Sequence, residues 1–295
     1  MLTHVDGNIA LGRVGALVEQ IAMLRQRGHD VVLITSGAIS TGQHRMRRTM
    51  TLGTSIRDSA MNGAPKIDQA AAAAVGQSLI MSMYENFFAK YNMTCAQVLF
   101  TEEDVNDSHT LAQVCESTME LLQLGVVPIV NENDAVTSRK TPVYDASTDE
   151  VQWDNDVLAS KVSIALRADL LITLTDMAAL YTAARDGEAA ERVHVYRDGL
   201  KLVRTACAHG RDDVLSDGGR GKFSGRTRMS TNGLQALVEA TRDAVSGGVR
   251  AAVVTSGHMP LALIKVLQGE DVGTLFVPTP SSAAAASTAG ARSKL

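Results

Sequence analysis

Apolar residues recur along this chain in two alternating rhythms. Val14, Leu17, Val18, Ile21 and Leu24 fall at i, i+3, i+4, i+7 and i+10, which predicts an amphipathic helix that Gly28 can close. Val31–Ile34 then forms a short continuous β-branched run, the pattern of a strand buried on both faces. The unit repeats: Ala70–Phe88 reads as helix and Thr94–Phe100 as strand, Leu111–Leu124 as helix closed by Gly125, and Val126–Val130 as strand. Val157–Leu166 follows as helix and Leu170–Leu174 as strand, then helix Met229–Val245, strand Val249–Val254, helix Leu261–Leu267 and strand Val272–Val277. Helices and strands in alternation predict an α/β fold with a mainly parallel sheet covered on both faces. Two long stretches of mixed polarity, Val136–Trp153 and His209–Gly225, interrupt the alternation, as functional loops do. The expected organisation is one domain over residues 1–278 and a disordered tail, rich in Ser and Ala, over residues 279–295.

Composition narrows the class. Hydrophobic residues are 45% and charged residues 20%, enough apolar content to build a core. A net charge of −4 gives no global footprint for nucleic acid or an anionic membrane. No apolar run reaches the roughly 18 residues that span a bilayer, and Met1 is not followed by a basic stretch and an apolar core of a leader. Cys95, Cys115 and Cys207 are odd in number and widely spaced, so they are expected to be reduced thiols of an intracellular protein. The histidines lack metal-ligand spacing, and no metal site is expected from side-chain pattern.

In an open parallel sheet, ligands bind beyond the carboxyl ends of the strands. Four such ends carry chemistry here. Thr35-Ser36-Gly37-Ala38 offers a hydroxyl and backbone N–H groups that a ligand can approach closely; the same residues also suit an ordinary turn. Asn131-Glu132-Asn133-Asp134 can bind an amine or simply cap a turn. Asp154-Asn155-Asp156 opens a helix that needs only one cap, so the second carboxylate points to a role in orienting charged groups. Thr173-Leu174-Thr175-Asp176 places a hydroxyl and a carboxylate where a nucleotide could lie. There is no GxxxxGK[ST] loop, no GxSxG elbow and no GxGxxG after a strand.

Taken in order, these pieces resemble the glutamate 5-kinases of the amino acid kinase family. The resemblance rests on VVLITSGAISTG (Val31–Gly42), AAVGQ (Ala73–Gln77), LGVVPIVNENDAV (Leu124–Val136), DNDVLAS (Asp154–Ser160), ADLLITLTD (Ala168–Asp176) with LYT (Leu180–Thr182), and VGTLF (Val272–Phe276). It implies a three-layer α/β/α sandwich with a mostly parallel central sheet. It also implies ATP and Mg²⁺ as cofactors and in-line transfer of the γ-phosphoryl group to the side-chain carboxylate of L-glutamate, the first step toward proline. By position, Ser36, Gly37, Asp134 and Asn155 match glutamate-binding residues. Asp156 matches the catalytic carboxylate that organises lysines. Thr175, Asp176, Gly225, Thr227, Met229, Ser230 and Thr231 match nucleotide-binding residues. The family is commonly oligomeric, which implies a homo-oligomer. The NENDAV stretch argues against relatives acting on aspartate, acetylglutamate or carbamate.

Departures from the pattern carry their own expectations. Family members open on a strand ending in Lys-x-Gly-(Ser/Thr)-Ser, whereas Met1-Leu2-Thr3 stands where that motif has already ended; the first strand is therefore expected to be missing from this sequence, either truly lost or, as the favoured alternative, encoded upstream of an internal or misassigned Met1. The nucleotide loop Gly-Thr-Gly-Gly-Met-x-Thr-Lys reads here Gly225-Arg226-Thr227-Arg228-Met229-Ser230-Thr231-Asn232, without the glycine pair and with Asn232 in place of lysine. Trp153 stands where glycine precedes Asp-Asn-Asp, and Met177-Ala178-Ala179 stand where a Lys-Gly pair is usual. A preorganised charge at such a site is worth on the order of 10²–10³ in rate, so impaired or silent catalysis is expected, the alternative being a non-catalytic glutamate- and nucleotide-binding paralogue. The RNA-modification-type domain that often follows in the family is not expected here. Ser293-Lys294-Leu295 reads as a peroxisomal address, implying an import receptor as partner and a peroxisome or glycosome as destination.

Overall fold

In a computed structural model, residues 8–53, 67–136, 155–182, 190–200, 202–203 and 231–278 are described. Their contacts gather into two compact units, Leu2–Leu166 and Arg167–Leu295.

The first unit begins with helix α1 (Leu11–Gln26), whose buried positions include Val14, Val18, Ile21 and Leu24, the periodic face read from the sequence. Gly28, at φ +86°, turns the chain out of it. Strand β1 follows as Leu33–Ile34, shorter than the predicted Val31–Ile34 because only these two residues pair. Helix α2 (Ala38–Gly53) has no counterpart among the predicted elements. Then come α3 (Gln69–Ala89), β2 (Cys95–Phe100), α4 (Glu102–Asn106), α5 (Ser108–Gln123), β3 (Val127–Glu132) and α6 (Asn155–Ala165). Asp68 caps α3, Asp107 caps α5, and Thr101 with Asp104 forms a capping box on α4. The strands lie in the order β1-β3-β2, all parallel, with Ile34 opposite Val130 and Cys95–Phe100 opposite Val127–Glu132.

Alternation along these strands divides the unit into layers. Val98, Phe100 and Val130 turn to one face and pack with Val105, Leu111, Val114, Leu158 and Val162 of α4, α5 and α6. On the other face lies α3, which sends Tyr84 to Thr35 and Gln77 to Asn131 and Gln97.

Helix α2 sits on α3 by backbone contact. A Cβ added at Gly42 would lie 1.8 Å from the carbonyl oxygen of Ala72, and one at Gly76 would lie 1.8 Å from the carbonyl oxygen of Ala38. Each helix therefore presents two small residues four apart, Ala38 with Gly42 and Ala72 with Gly76, and the two pairs interlock.

The second unit holds β4 (Leu170–Thr175), β5 (Leu180–Thr182), β6 (Arg192–Val193), β7 (Leu202–Val203), α7 (Thr231–Ser246), β8 (Ala251–Ser256), α8 (Ala262–Leu267) and β9 (Thr274–Phe276). β4 and β8 are parallel, while β9 runs antiparallel on the other edge of β8. The short strands β6-β5-β7 form a separate antiparallel sheet. Leu234, Leu237 and Val238 of α7 bury Ala252, Val254 and Phe276 together with Met177 and Leu180. The buried Thr274 hydroxyl joins the two sheets: it accepts from Leu180 N (2.9 Å) and donates to Val193 O (2.6 Å). Gly273, at φ +80°, leaves no room for a side chain, since a Cβ would lie 2.3 Å from Val254 O. Among the described residues no helix is long and apolar enough to cross a membrane.

Two glycines separate packing from propensity. Gly42→Ala forces a methyl into the Ala72 carbonyl, and is expected to cost about 3 kcal/mol or more by denaturant midpoint. Gly12→Ala, on α1 with nothing within 4 Å of the new Cβ, is expected to be neutral or stabilising by about 0.5–1 kcal/mol. Equal effects at the two positions would contradict the crossing.

Candidate functional site

The carboxyl ends of β1 and β3 are bound together: Thr35 N donates to Val130 O at 2.9 Å. The Thr35 side chain is buried and its hydroxyl lies 3.3 Å from the Tyr84 hydroxyl. Burial raises the Tyr84 pKa to about 12, so this phenol remains a neutral hydrogen-bonding group. With Thr35 held, Ser36 comes out exposed at the turn, and Gly37 at φ +95° starts α2 by offering its carbonyl to Thr41 N (3.0 Å) and to the Ser40 hydroxyl (3.0 Å). The first N–H groups of a helix lack acceptors within it and favour negative oxygens. Here they follow directly on the Ser36 hydroxyl.

Strand β3 runs two residues beyond the predicted Val126–Val130. Asn131 and Glu132 are ladder residues opposite Leu99 and Phe100, and the turn starts only at Asn133, whose N–H donates to Phe100 O at 2.7 Å. The register explains the longer strand, since β2 itself continues to Phe100.

Between α3, β2 and the end of β3 lies a cavity of about 460 Å³, lined among others by Ala38, Gln77, Glu85, Gln97, Glu132 and Asp134. Its volume is that of a small-molecule site, about 300–1,000 Å³. Its lining carries three carboxylates and, among the described residues, no Lys, Arg or His. Such a wall suits a ligand with an ammonium group. Half-burial raises the Asp134 pKa above its ordinary value of 3.8 by desolvation, and a cation beside it would relieve that cost.

Ser36, Gly37 and Asp134 are thus brought to neighbouring strand ends, with Ala38 and Asp134 on one cavity. Asn155 and Asp156 open α6 in the same unit but are not among the cavity's lining residues. The Asn155 Oδ1 atom is buried without a hydrogen-bond partner among the described residues, an acceptor available for a donor. In the second unit Thr175 ends β4, and its buried hydroxyl accepts from Met177 N (3.0 Å) and serves the turn there. Asp176 follows it, half-buried. The ends of β4 and β8 are tied by Gly257 N to Thr175 O, 2.9 Å. Thr231 begins α7, while Gly225, Thr227, Met229 and Ser230 lie outside the described residues, as do Ser293, Lys294 and Leu295.

Gln77, Gln97 and Glu85 line the cavity without having been singled out as site residues. Gln77 ends the AAVGQ stretch, and a polar amide on an alanine-rich helix was the available signal.

The sequence profile of the amino acid kinase family matches residues 5–256. Over 277 residues the chain is 38% identical to a glutamate 5-kinase of Symbiobacterium thermophilum, a match covering 93% of this chain and 91% of that protein. It is 37% identical to a delta-1-pyrroline-5-carboxylate synthase of Solanum lycopersicum over 94% of this chain, where it spans 36% of the longer plant protein. The solved isopentenyl phosphate kinase of T. acidophilum superposes with a TM-score of 0.51 at 12% identity, covering 92% of each chain, which shows the α/β/α kinase fold and no more.

Asp134 gives a stability test with a defined sign. Its folded pKa lies above the unfolded one, so the folded state holds the extra proton and stability falls as pH rises through that window. Asp134→Asn is therefore expected to melt no lower than the parent at pH 7, and the difference should shrink as pH is lowered toward 4. A lower melting temperature for the variant at pH 7 would show that the carboxylate is stabilising instead.

Proposed function

Because the chain belongs to the amino acid kinase family, we propose that it binds MgATP and L-glutamate and transfers the γ-phosphoryl group to the side-chain carboxylate, giving L-glutamyl 5-phosphate for proline synthesis. The observation that carries this reading is the match to a glutamate 5-kinase along nine-tenths of both chains. The acceptor cavity supports it: Asp134 offers a carboxylate to the substrate ammonium, and the Ser36 hydroxyl with the first N–H groups of α2 offers donors to its oxygens.

In this mechanism a carboxylate oxygen of glutamate forms the new O–P bond as the bond from the γ-phosphorus to ADP breaks. The protein's task is positioning and charge neutralisation. Asn155, through its unpartnered Oδ1, is a further acceptor for the ammonium side of the substrate. Asp156, in the first turn of α6, would orient cationic groups. Thr175 and Asp176, with Gly225, Thr227, Met229, Ser230 and Thr231, take the nucleotide. Among the described residues no three His, Cys, Asp or Glu side chains gather into a metal cage. Mg²⁺ would enter with ATP as part of the substrate, held by the phosphates and its own waters.

A second reading, a glutamate- and nucleotide-binding paralogue without turnover, is favoured by one observation: Asn232 stands where the family's phosphate-facing lysine is expected. An assay of L-glutamate-dependent ADP release separates the two. The kinase reading with a lost charge predicts slow, glutamate-dependent release that rises about 10²-fold in Asn232→Lys. Binding of L-glutamate by calorimetry without any release, in parent and variant alike, selects the paralogue. ADP release indifferent to L-glutamate overturns the substrate.

With Leu295 at a free carboxyl terminus, Ser293-Lys294-Leu295 would serve as an import address. A fluorescent protein fused ahead of residue 1 is expected to collect in peroxisome-type organelles and to spread through the cytosol when Leu295 is deleted. Cytosolic fluorescence of the undeleted fusion would contradict the proposal.

A further inference from the structure

Three side-chain amides form a one-way relay at the cavity. Asn131 Nδ2 donates to Gln77 Oε1 at 2.8 Å, and Gln77 Nε2 donates to Gln97 Oε1 at 2.9 Å. The relay climbs out of the interior, from Asn131 at 1% exposure through Gln77 at 9% to the exposed Gln97 on the cavity wall. Its inner end leaves Asn131 Oδ1 buried and unpartnered among the described residues. Its outer end engages Gln97 Oε1, which sets Nε2 and its N–H donors on the other side of the amide.

Among the described residues, cationic donors are what this cavity lacks. Glu85, Glu132 and Asp134 line it, and no basic residue does among those described. A dicarboxylic amino acid finds a partner there for its ammonium, while its carboxylates meet like charge. Gln97 is a neutral group that can offset this, provided its amide is held with nitrogen available and oxygen engaged. An unheld glutamine would present either end.

We propose that Gln77 is a positioning residue: by bridging Asn131 and Gln97 it fixes the β2 wall of the cavity as a hydrogen-bond donor and so selects a ligand that brings a carboxylate to that wall. The inference rests on the acceptor reading above and adds to it the residue that sets carboxylate over carboxamide.

Calorimetry of the full chain with L-glutamate, L-glutamine and L-isoglutamine (the γ- and α-carboxamides) tests it in Gln77→Met, Gln97→Met and the double variant. Gln77→Met is expected to weaken L-glutamate binding about tenfold and to narrow the preference for L-glutamate over one of the two carboxamides. The double variant is expected to bind no more weakly than Gln97→Met within about twofold, because Gln77 acts through Gln97. Unchanged binding in Gln77→Met, or losses that multiply in the double variant, would overturn the proposal. If Gln77→Met fails to fold with Asn131 stranded, Gln77→Glu keeps an acceptor for Asn131 Nδ2. It turns Gln97 round to bond through its nitrogen, and is expected to narrow the same preference; an unaltered preference there also overturns it. A parent chain that binds no L-glutamate overturns the acceptor reading itself, an outcome distinct from a parent that binds and a Gln77→Met that binds equally well.

Discussion

The first unit depends on one contact, the crossing of α2 and α3 at Gly42 and Gly76. Carbonyl oxygens stand where side chains would begin, so the two backbones meet with nothing between them. That closeness fixes where α2 can start, and its start is the Ser36-Gly37 turn. It also fixes the rotation of α3. The residue after Gly76 is Gln77, which reaches Asn131 and Gln97, and about two turns further along the same face is Tyr84, which holds Thr35. The Gln77–Gln97 side of the cavity and the turn that leads into Ala38 on its lining are consequences of the same interlock.

Much of this architecture is legible in the pattern of apolar residues, because a parallel strand buried on both faces leaves an unbroken β-branched run and its flanking helices leave a 3.6-residue stripe. Val127–Val130 and the face Val14-Val18-Ile21 are read off directly. Helix α2 is not, for a physical reason. Its buried side is Ala38, Thr41 and Gly42, small residues that pack by proximity and leave no hydrophobic periodicity. The strands β5, β6 and β7 escape too, since two or three residues carry no period and their pairing is set by residues distant in sequence, with Thr274 tying them from β9.

The site divides along the same line. Ser36, Gly37 and Asp134 announce themselves because polar or small residues follow apolar strands. Gln77 and Gln97 do not, since an amide becomes informative only when the fold sets it against another. Thr175 carries a second task that the sequence does not announce: its hydroxyl accepts from Met177 N in the turn that follows. The second unit is held by comparably economical devices, a glycine at 273 that admits β9 to β8 and one buried hydroxyl shared by two sheets.

The proposed acidic amino-acid ligand would occupy the cavity between α3, β2 and β3. Titrating L-glutamate into isotope-labelled protein and following backbone amide resonances locates it without requiring turnover. Occupancy of that cavity is expected to concentrate the shifts at Gly37–Ser40, Gln97 and Asn133–Ala135, with the side-chain amide protons of Gln97 moving in step. Shifts confined to the second unit, or none at saturating ligand, would contradict it.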